Sequence, residues 1–318
     1  MSNRTRSLLF VLGLLLILVS GASLGRALWQ YRQQHALPPS SGPQYTVEPG
    51  RRAPALWSFA VNPYSNPAQL IDDFQPLLDH LGLPPELGRL HLEASRDFAA
   101  FEAKITRQAP DFIRPNPWQA LEAMHHGYTV IAMAGDPQDF RGLIVARKDR
   151  AVRRVEQLRG QKVAAPSPTA LAACLMPQWF LHERGIDVLH DLDTRYVGSQ
   201  ESAIMSAFLG EAYVAMSWPS PWRQFQAKYP QKAAELEIVW ETAPLVNNPV
   251  MVHARVPAVV REKVSRALYA LDQTASGRAL LAEAEIAFFR PATDADYLPV
   301  RQFIDRFEHA VRPVLTQP

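Results

Sequence analysis

From residue 55 onward the chain alternates short apolar runs of strand length with longer stretches in which apolar residues return every three or four positions. Leu56 to Val61 reads as a first strand, and Asn62-Pro63-Tyr64-Ser65-Asn66-Pro67 as a turn. An amphipathic helix through Leu70, Phe74, Leu77, Leu78 and Leu81 comes next, stopped by Gly82 and Pro84-Pro85. Arg89 to Ala94 predicts a strand, Asp97 to Gln108 a helix with Phe98, Phe101 and Ile105 on one side, and Asp111 to Ile113 a short strand. After Arg114-Pro115-Asn116-Pro117 a helix starts at Trp118, and Thr129 to Ala134 is the next strand. Such alternation predicts an α/β fold with a mostly parallel sheet.

Leu143 to Ala146 is an apolar run that reads as a buried strand, ended by Arg147, Lys148, Asp149 and Arg150. Lys162 to Ala165 reads as another, leading into Pro166-Ser167-Pro168-Thr169. Thr169 is placed to cap a helix from Ala170 to His182 whose apolar face carries Leu171, Cys174, Leu175 and Leu181. This strand-turn-helix junction is either an ordinary connection or a place where unpaired first-turn N–H groups meet a polar ligand. Further on, Thr194 to Val197, Tyr213 to Ser217, Leu236 to Trp240 and Pro249 to His253 read as strands. Helices open at Gly198-Ser199-Gln200-Glu201, at Trp218-Pro219-Ser220-Pro221-Trp222 and at Pro257, with others over Ala279 to Leu281 and Tyr297 to Val311. Strand crossings near 142–148 and 247–254 divide the chain into a first lobe, 55–145 plus 249–318, and a second, 146–248.

Ahead of these lobes, Arg4 and Arg6 precede an uncharged run from Ser7 to Gly25, which Arg26 closes. About 19 residues at ~1.5 Å each span roughly 28 Å, close to the ~30 Å hydrocarbon core. The small residues Ser20 to Ser23 equally suit a signal-peptidase site, so residues 1–31 read as a cleaved signal or as a retained inner-membrane anchor. Either way, the basic flank predicts that the two lobes are exported. Residues 32–54, rich in Pro, Ser and Gly, read as a linker.

Composition narrows the function classes. With 47% hydrophobic and 20% charged residues among 318, most of the chain is globular. The formal charge of +2 comes from the amino-terminal arginines; beyond Arg26 there are 30 basic against 31 acidic residues, so charge gives no sign of nucleic-acid binding. The one cysteine, Cys174, has no disulfide partner and lies in an apolar helix, which makes it a core residue. His125 and His126 are adjacent rather than one turn apart, and His182, Glu183 and His190 lack metalloprotease spacing. No phosphate loop, dinucleotide fingerprint or nucleophile elbow occurs, so no catalytic residue, metal ligand or cofactor is expected.

In order and spacing, PNPWQALEAMHHGYTVIA, GLIVARKD, VEQLRGQKVAAP, LMPQWFLHERGI and VGSQESAIMSAFLGEAYVA resemble the exported substrate-binding proteins of phosphate, phosphite and phosphonate ABC transporters. The resemblance runs from about Leu56 to Phe303. It implies a two-lobed periplasmic binding protein type 2 fold, α/β in each lobe, with two hinge crossings and a ligand held between lobes that close on it. It also implies a small-molecule ligand, a membrane permease as partner and a periplasmic location. The chain departs from the family where ligand chemistry is decided: the Ser-Thr-Ser-Gly run of phosphonate binders falls at Ala170, Leu171, Ala172 and Ala173, its Gly-Ser-His at Gly198, Ser199 and Gln200, and its later Asp at Tyr213.

On this resemblance the ligand-facing positions are Asn62 and Tyr64 in the first turn, Asn116 and Trp118 after the third strand, Ser167 and Thr169, Ser199 and Gln200, and Trp218. Each has a plainer reading as a helix cap or core residue. Arg114 reads either as a partner for an acidic ligand or as an exposed or lobe-bridging arginine. Trp118, Trp218 and Trp222 suggest a ligand with an apolar body. The expected function is capture of a small anionic or organic solute for an ABC transporter. A membrane-anchored sensor serving a signalling partner and an enzyme on the same scaffold are the alternatives.

Overall fold

The computed structural model describes residues 55–314; the export segment and the linker lie outside the described residues. The first strand, β1 (Leu56–Val61), leads into α1 (Pro67–His80), whose first turn is capped by the Asn66 side chain accepting from the Gln69 N–H at 2.9 Å. Then come β2 (Arg89–Glu93), α2 (Phe98–Thr106) capped by Asp97, β3 (Phe112–Arg114), α3 (Pro117–His125) and β4 (Tyr128–Ala134). The chain leaves for a second sheet through β5 (Leu143–Arg147) and β6 (Gln161–Ala165). There it forms a π-helical turn, Leu171–Leu175, continuous with α4 (Met176–His182), then β7 (Leu192–Tyr196), α5 (Gln200–Leu209) and β8 (Val214–Ser217). After α6 (Pro219–Lys228), α7 (Pro230–Ala234) and β9 (Leu236–Glu241), the chain returns through β10 (Pro249–His253). It closes with α8 (Ala258–Ala270), α9 (Ala275–Glu283), β11 (Phe289–Arg290) and α10 (Leu298–Ala310).

The first sheet has the order β11-β4-β10-β3-β1-β2 and the second β7-β6-β8-β5-β9. In the first, β1 pairs parallel with β2 and β3, while β10 enters antiparallel between β3 and β4. In the second, β6 is parallel to β7 and β8, and β5 is antiparallel to β8 and β9. Most strands in each sheet therefore point one way; β10 and the short edge strand β11 run against them in the first sheet, and β5 does so in the second. The expected lobe boundary at residue 145 divides β5. All five residues of β5 pair within the second sheet, so the outward crossing is the run 135–142, ahead of the strand.

Alternation along the strands separates two cores. Phe59 and Val61 of β1, with Val250 and Val252 of β10, pack under α1, α8 and α9 against Phe74, Leu77, Val264 and Leu281. Ala60 and Met251, on the opposite face, join Phe101, Ile105, Leu121, Phe303 and Phe307 of α2, α3 and α10. This second core continues into the second lobe through Leu171, Leu175 and Val163. Each fully buried Leu or Phe contributes roughly 1.5–3 kcal/mol, so the carboxyl-terminal helix is a substantial join between the lobes. It is reinforced by Trp179 against Phe303, ring centroids 6.1 Å apart, and by Arg312, which donates to Gln178 Oε1 and the Pro168 carbonyl, both at 3.0 Å.

Gly142 lies where the crossing passes the start of α4. A Cβ there would stand 2.7 Å from Pro177 Cδ and 2.8 Å from the Ala172 carbonyl oxygen, so only a residue without a side chain fits. Cys174 is buried as expected, and burial pushes its thiol up to about 11.

Candidate functional site

The two sheets face each other across a cleft lined by loops at the carboxyl ends of their parallel strands, the usual place for a ligand in open α/β sheets. From the first lobe come Asn62 after β1, Arg114 ending β3, Asn116 opening α3 and, on the return crossing just ahead of β10, Asn248, which the expected boundary assigns to the second lobe but whose carbonyl accepts from the Ala134 N–H of β4 at 2.9 Å. From the second come Ser167 and Thr169 after β6, the Ala170–Ala173 backbone, Gln200 opening α5 and Trp218 after β8. Between them the lobes leave a cavity of about 10 Å³, room for one water-sized sphere. Its walls are Asn62, Phe98, Asn116, Phe140, Ala170–Ala173, Gln200, Trp218 and Asn248. Two larger cavities flank it. One, of about 710 Å³, is walled by Arg114, Gly135, Asp139, Arg141, Trp218, Arg223, Asn247, Arg278 and Glu285. The other, of about 500 Å³, is walled by Tyr64, Asp73, Gln200, Glu201, Lys228, Glu283 and Glu285. Trp218 borders the small cavity and the first; Gln200 borders the small cavity and the second.

Among the described residues, eleven buried side-chain nitrogen and oxygen atoms have no hydrogen-bond partner. Seven belong to this cleft: Asn62 Oδ1, Tyr64 Oη, Arg114 Nε and Nη1, Gln200 Oε1, and Asn248 Nδ2 and Oδ1. An unpaired buried polar group costs roughly 1–3 kcal/mol and a charged one more. Such a cluster favours the entry of a group, water or solute, that pairs with it.

Arg114 carries the largest of these costs. The residue is 4% exposed, and it makes no ion pair with any described acid. Burial pushes its pKa down from the ordinary arginine value, partly offset by Tyr64 and Tyr297, and the group remains a cation. Its guanidinium carbon lies 5.8 Å from the Tyr64 ring centroid and 5.6 Å from that of Phe74. Contacts of this kind give about 0.5–2 kcal/mol, less than the several kcal/mol of desolvation. Burial also pushes the Tyr64 hydroxyl well above the ordinary tyrosine range, with Arg114 opposing and Asp73 and Glu285 adding to the rise.

Other groups hold the lobes together. Asn116 caps α3, accepting from the Gln119 N–H at 3.0 Å, and its Nδ2 donates across the cleft to the Thr169 carbonyl at 3.1 Å. Thr169 Oγ1 donates to Glu102 Oε1 at 2.6 Å, and Gln119 Nε2 donates to the same oxygen at 3.0 Å. Burial raises the Glu102 pKa although both bonds lower it, with Glu122 and Asp97 adding to the rise. Across the outer cleft, Arg223 of α6 reaches Glu285 of the first lobe at 2.9 Å and Asp139 of the crossing at 2.7 Å.

Several expectations change here. Thr169 does not cap the helix after it, whose first turn takes no side-chain cap, because its hydroxyl is committed to Glu102. Ser167 is buried and bonded to Thr169 Oγ1 at 2.9 Å. Trp118 lies away from the cleft, walling a groove with Leu121, Ile304 and Asp305 beside α10. Ser199 caps α5, accepting from the Ser202 N–H at 3.1 Å, and walls none of the three cavities. Trp222 packs with Phe225 inside the second lobe, so Trp218 is the one expected tryptophan that walls the cleft cavities. Asn62, Asn116, Gln200 and Trp218 meet at the small cavity, and Tyr64 borders the 500 Å³ one. Arg114, for which the sequence leaves two readings open, and Asn248, which sequence reasoning misses, join them. Their signals along the chain are slight: an arginine ending an apolar strand, and an asparagine pair before the return strand.

The chain matches the family model described as ABC transporter, phosphonate, periplasmic substrate-binding protein over residues 59–297. No curated protein matches it by sequence. Among solved structures it resembles the binding-protein component of an ABC phosphonate transporter from Pseudomonas aeruginosa, at 15% identity and a TM-score of 0.73, covering 81% of this chain and 88% of that one. It also resembles PhnD1 from Prochlorococcus marinus, solved with methylphosphonate, at 15% identity and a TM-score of 0.71, covering 80% and 98%. The alkanesulfonate-binding protein SsuA from Xanthomonas axonopodis, bound to MOPS, is similar at 14% identity and a TM-score of 0.57, covering 82% and 94%. At these identities the likeness establishes the fold.

Proposed function

From a chain that belongs to the periplasmic substrate-binding family of ABC phosphonate transporters, we propose a binding protein that captures a small polar solute between Arg114, Asn62 and Asn248 of one lobe and Gln200 and Trp218 of the other. It delivers that solute to a membrane permease. The observation that carries this reading is the convergence of unpartnered buried polar atoms from both lobes on one cleft. With room for about one water there, a solute enters by lobe opening and is enclosed by closure. The alanines at 170, 172 and 173 supply no hydroxyl, so on the second-lobe side a solute meets backbone N–H groups, Gln200 and Trp218. The basic-flanked apolar run at residues 7–25 supports export, with the mature chain either released or held at the inner membrane.

Native mass spectrometry of the protein purified from an exporting host, before and after denaturation, tests the reading. A small molecule retained by the folded chain, released on unfolding and lost in an Asn248→Leu, Gln200→Leu double variant supports it. Retention by that double variant at the wild-type level contradicts it.

A further inference from the structure

Resting on the cleft as the solute site, we propose that the solute is a small organic acid with a single negative charge on a carboxylate, and that Arg114 is the residue that selects it. Among the described residues the guanidinium has no acid within ion-pair distance, and its Nε and Nη1 have no partner. Of the other arginines of the same cavity, Arg141 pairs with Glu241 and Arg223 with Asp139 and Glu285, while Arg278 is exposed to solvent and donates to the Asp272 carbonyl. Among the described residues Arg114 is thus the buried cation of this wall without a counter-charge. A group that balances it from solution is an anion, and its planar donors match a carboxylate.

The count of charges favours one over two. The small cavity has no cationic residue in its walls, and Ala170, Leu171, Ala172 and Ala173 offer no hydroxyl to a second negative charge or a third oxygen. A doubly charged phosphonate would meet only one buried cation, Arg114, in the walls of these cavities. The remaining unpartnered groups describe the rest of the acid. Asn248 offers both a donor and an acceptor, and Asn62 Oδ1 and Gln200 Oε1 offer acceptors, which suits a body carrying hydroxyl or amide groups. Trp218, between the two cavities, gives that body an apolar face. The 710 Å³ beside Arg114 lies within the range of small-molecule sites.

The test is calorimetric titration and thermal shift at pH 7 on the wild type, Arg114→Met and Arg114→Lys, with acetate, glycolate, lactate, benzoate, methanesulfonate, methylphosphonate and neutral glucose as probes. At least one carboxylate should raise the wild-type melting temperature and outcompete the sulfonate and the phosphonate. Arg114→Met should lose at least ~30-fold in affinity for that acid, with an unliganded melting temperature equal to or above the wild type, since an uncompensated charge has been removed. Arg114→Lys keeps partial binding and serves as the readout if Arg114→Met does not fold. A wild type that prefers methylphosphonate or methanesulfonate, or that answers no carboxylate, overturns the proposal. Equal carboxylate affinity in wild type and Arg114→Met does the same. Tight binding of glucose with lobe closure would sink the acid alone and leave the solute-binding reading standing.

Discussion

Replacing Glu285 by Gln removes the negative end of an ion pair that joins the lobes and leaves the Arg223–Asp139 contact in place. Arg223 donates to Asp139 at 3.0 and 2.7 Å and to Glu285 at 2.9 Å. Only the Glu285 arm ties α6 to the first lobe beyond the crossing. The Arg223 side chain is 42% exposed and that of Glu285 26%, so solvent screening holds the pair near the upper end of the surface range, ~1 kcal/mol. At 1.4 kcal/mol per decade this is about a fivefold shift of the closed-to-open ratio. The shift is partial because the Thr169–Glu102 and Asn116–Thr169 bonds persist. The assay is single-molecule energy transfer between dyes on Leu189→Cys in the second lobe and Val259→Cys in the first, both exposed positions. Native Cys174 does not compete for label, being buried with its thiol pushed up to about 11. Glu285→Gln should enlarge the low-transfer population about fivefold, and 0.5 M salt should move the wild type the same way. Identical distributions for wild type and variant at low salt would refute the reasoning.

Four further outcomes are expected. Glu102, with its pKa raised by burial, takes up a proton more readily folded than unfolded, so its contribution is complete below the ordinary Glu range near ~4.3 and is lost as pH climbs through the raised value. Glu102→Gln keeps the acceptor for Thr169 and cannot ionise, so its melting temperature should exceed the wild type's at pH 8 and meet it near ~pH 4; a lower value at pH 8 would count against this. Trp118→Ala should cost ~3–5 kcal/mol in urea unfolding with solute affinity unchanged, since the ring packs beside α10 rather than in the cleft. Gly142→Ala should destabilise by ~1–3 kcal/mol, because the methyl meets Pro177 and the Ala172 carbonyl, and a calorimetric scan reads it directly. Asn248→Leu removes a side chain with no protein partner, so thermal stability should hold while solute affinity falls ~5–150-fold, the range of one lost buried hydrogen bond at ~1–3 kcal/mol.

Much of the fold is legible along the chain because local rules and tertiary packing agree in most elements. Asn66, Asp97, Asn116 and Ser199 all cap helices that the apolar spacing also marks. The site is less legible, for identifiable reasons. In α3 Pro117 through Leu121 are buried without a break, so the first turns do not show that Trp118 points to α10 and Asn116 to the cleft. The π-helical turn at 171–175 keeps Leu171, Cys174 and Leu175 at ordinary helical spacing and leaves no mark in the pattern. Thr169 has the composition of a cap, but its hydroxyl finds a stronger acceptor in Glu102, 67 positions earlier. The boundary at 145 fails because an apolar strand looks the same whichever sheet it joins; the antiparallel pairing of Leu143–Arg147 with β8 and β9 is a long-range choice. Arg114 is the extreme case. An arginine at a strand end is unremarkable in sequence, and its meaning lies in the absence of any described acid near its guanidinium.

Whether the cleft is where this protein holds its solute is decided most directly by a crystal structure of the protein purified with that solute retained. Density should be enclosed by both lobes, with an acidic group on Arg114 and contacts from Asn62, Asn248, Gln200 and Trp218. A solute seated in the groove beside α10 or on an outer face, with the cleft groups still unpaired, would contradict that assignment.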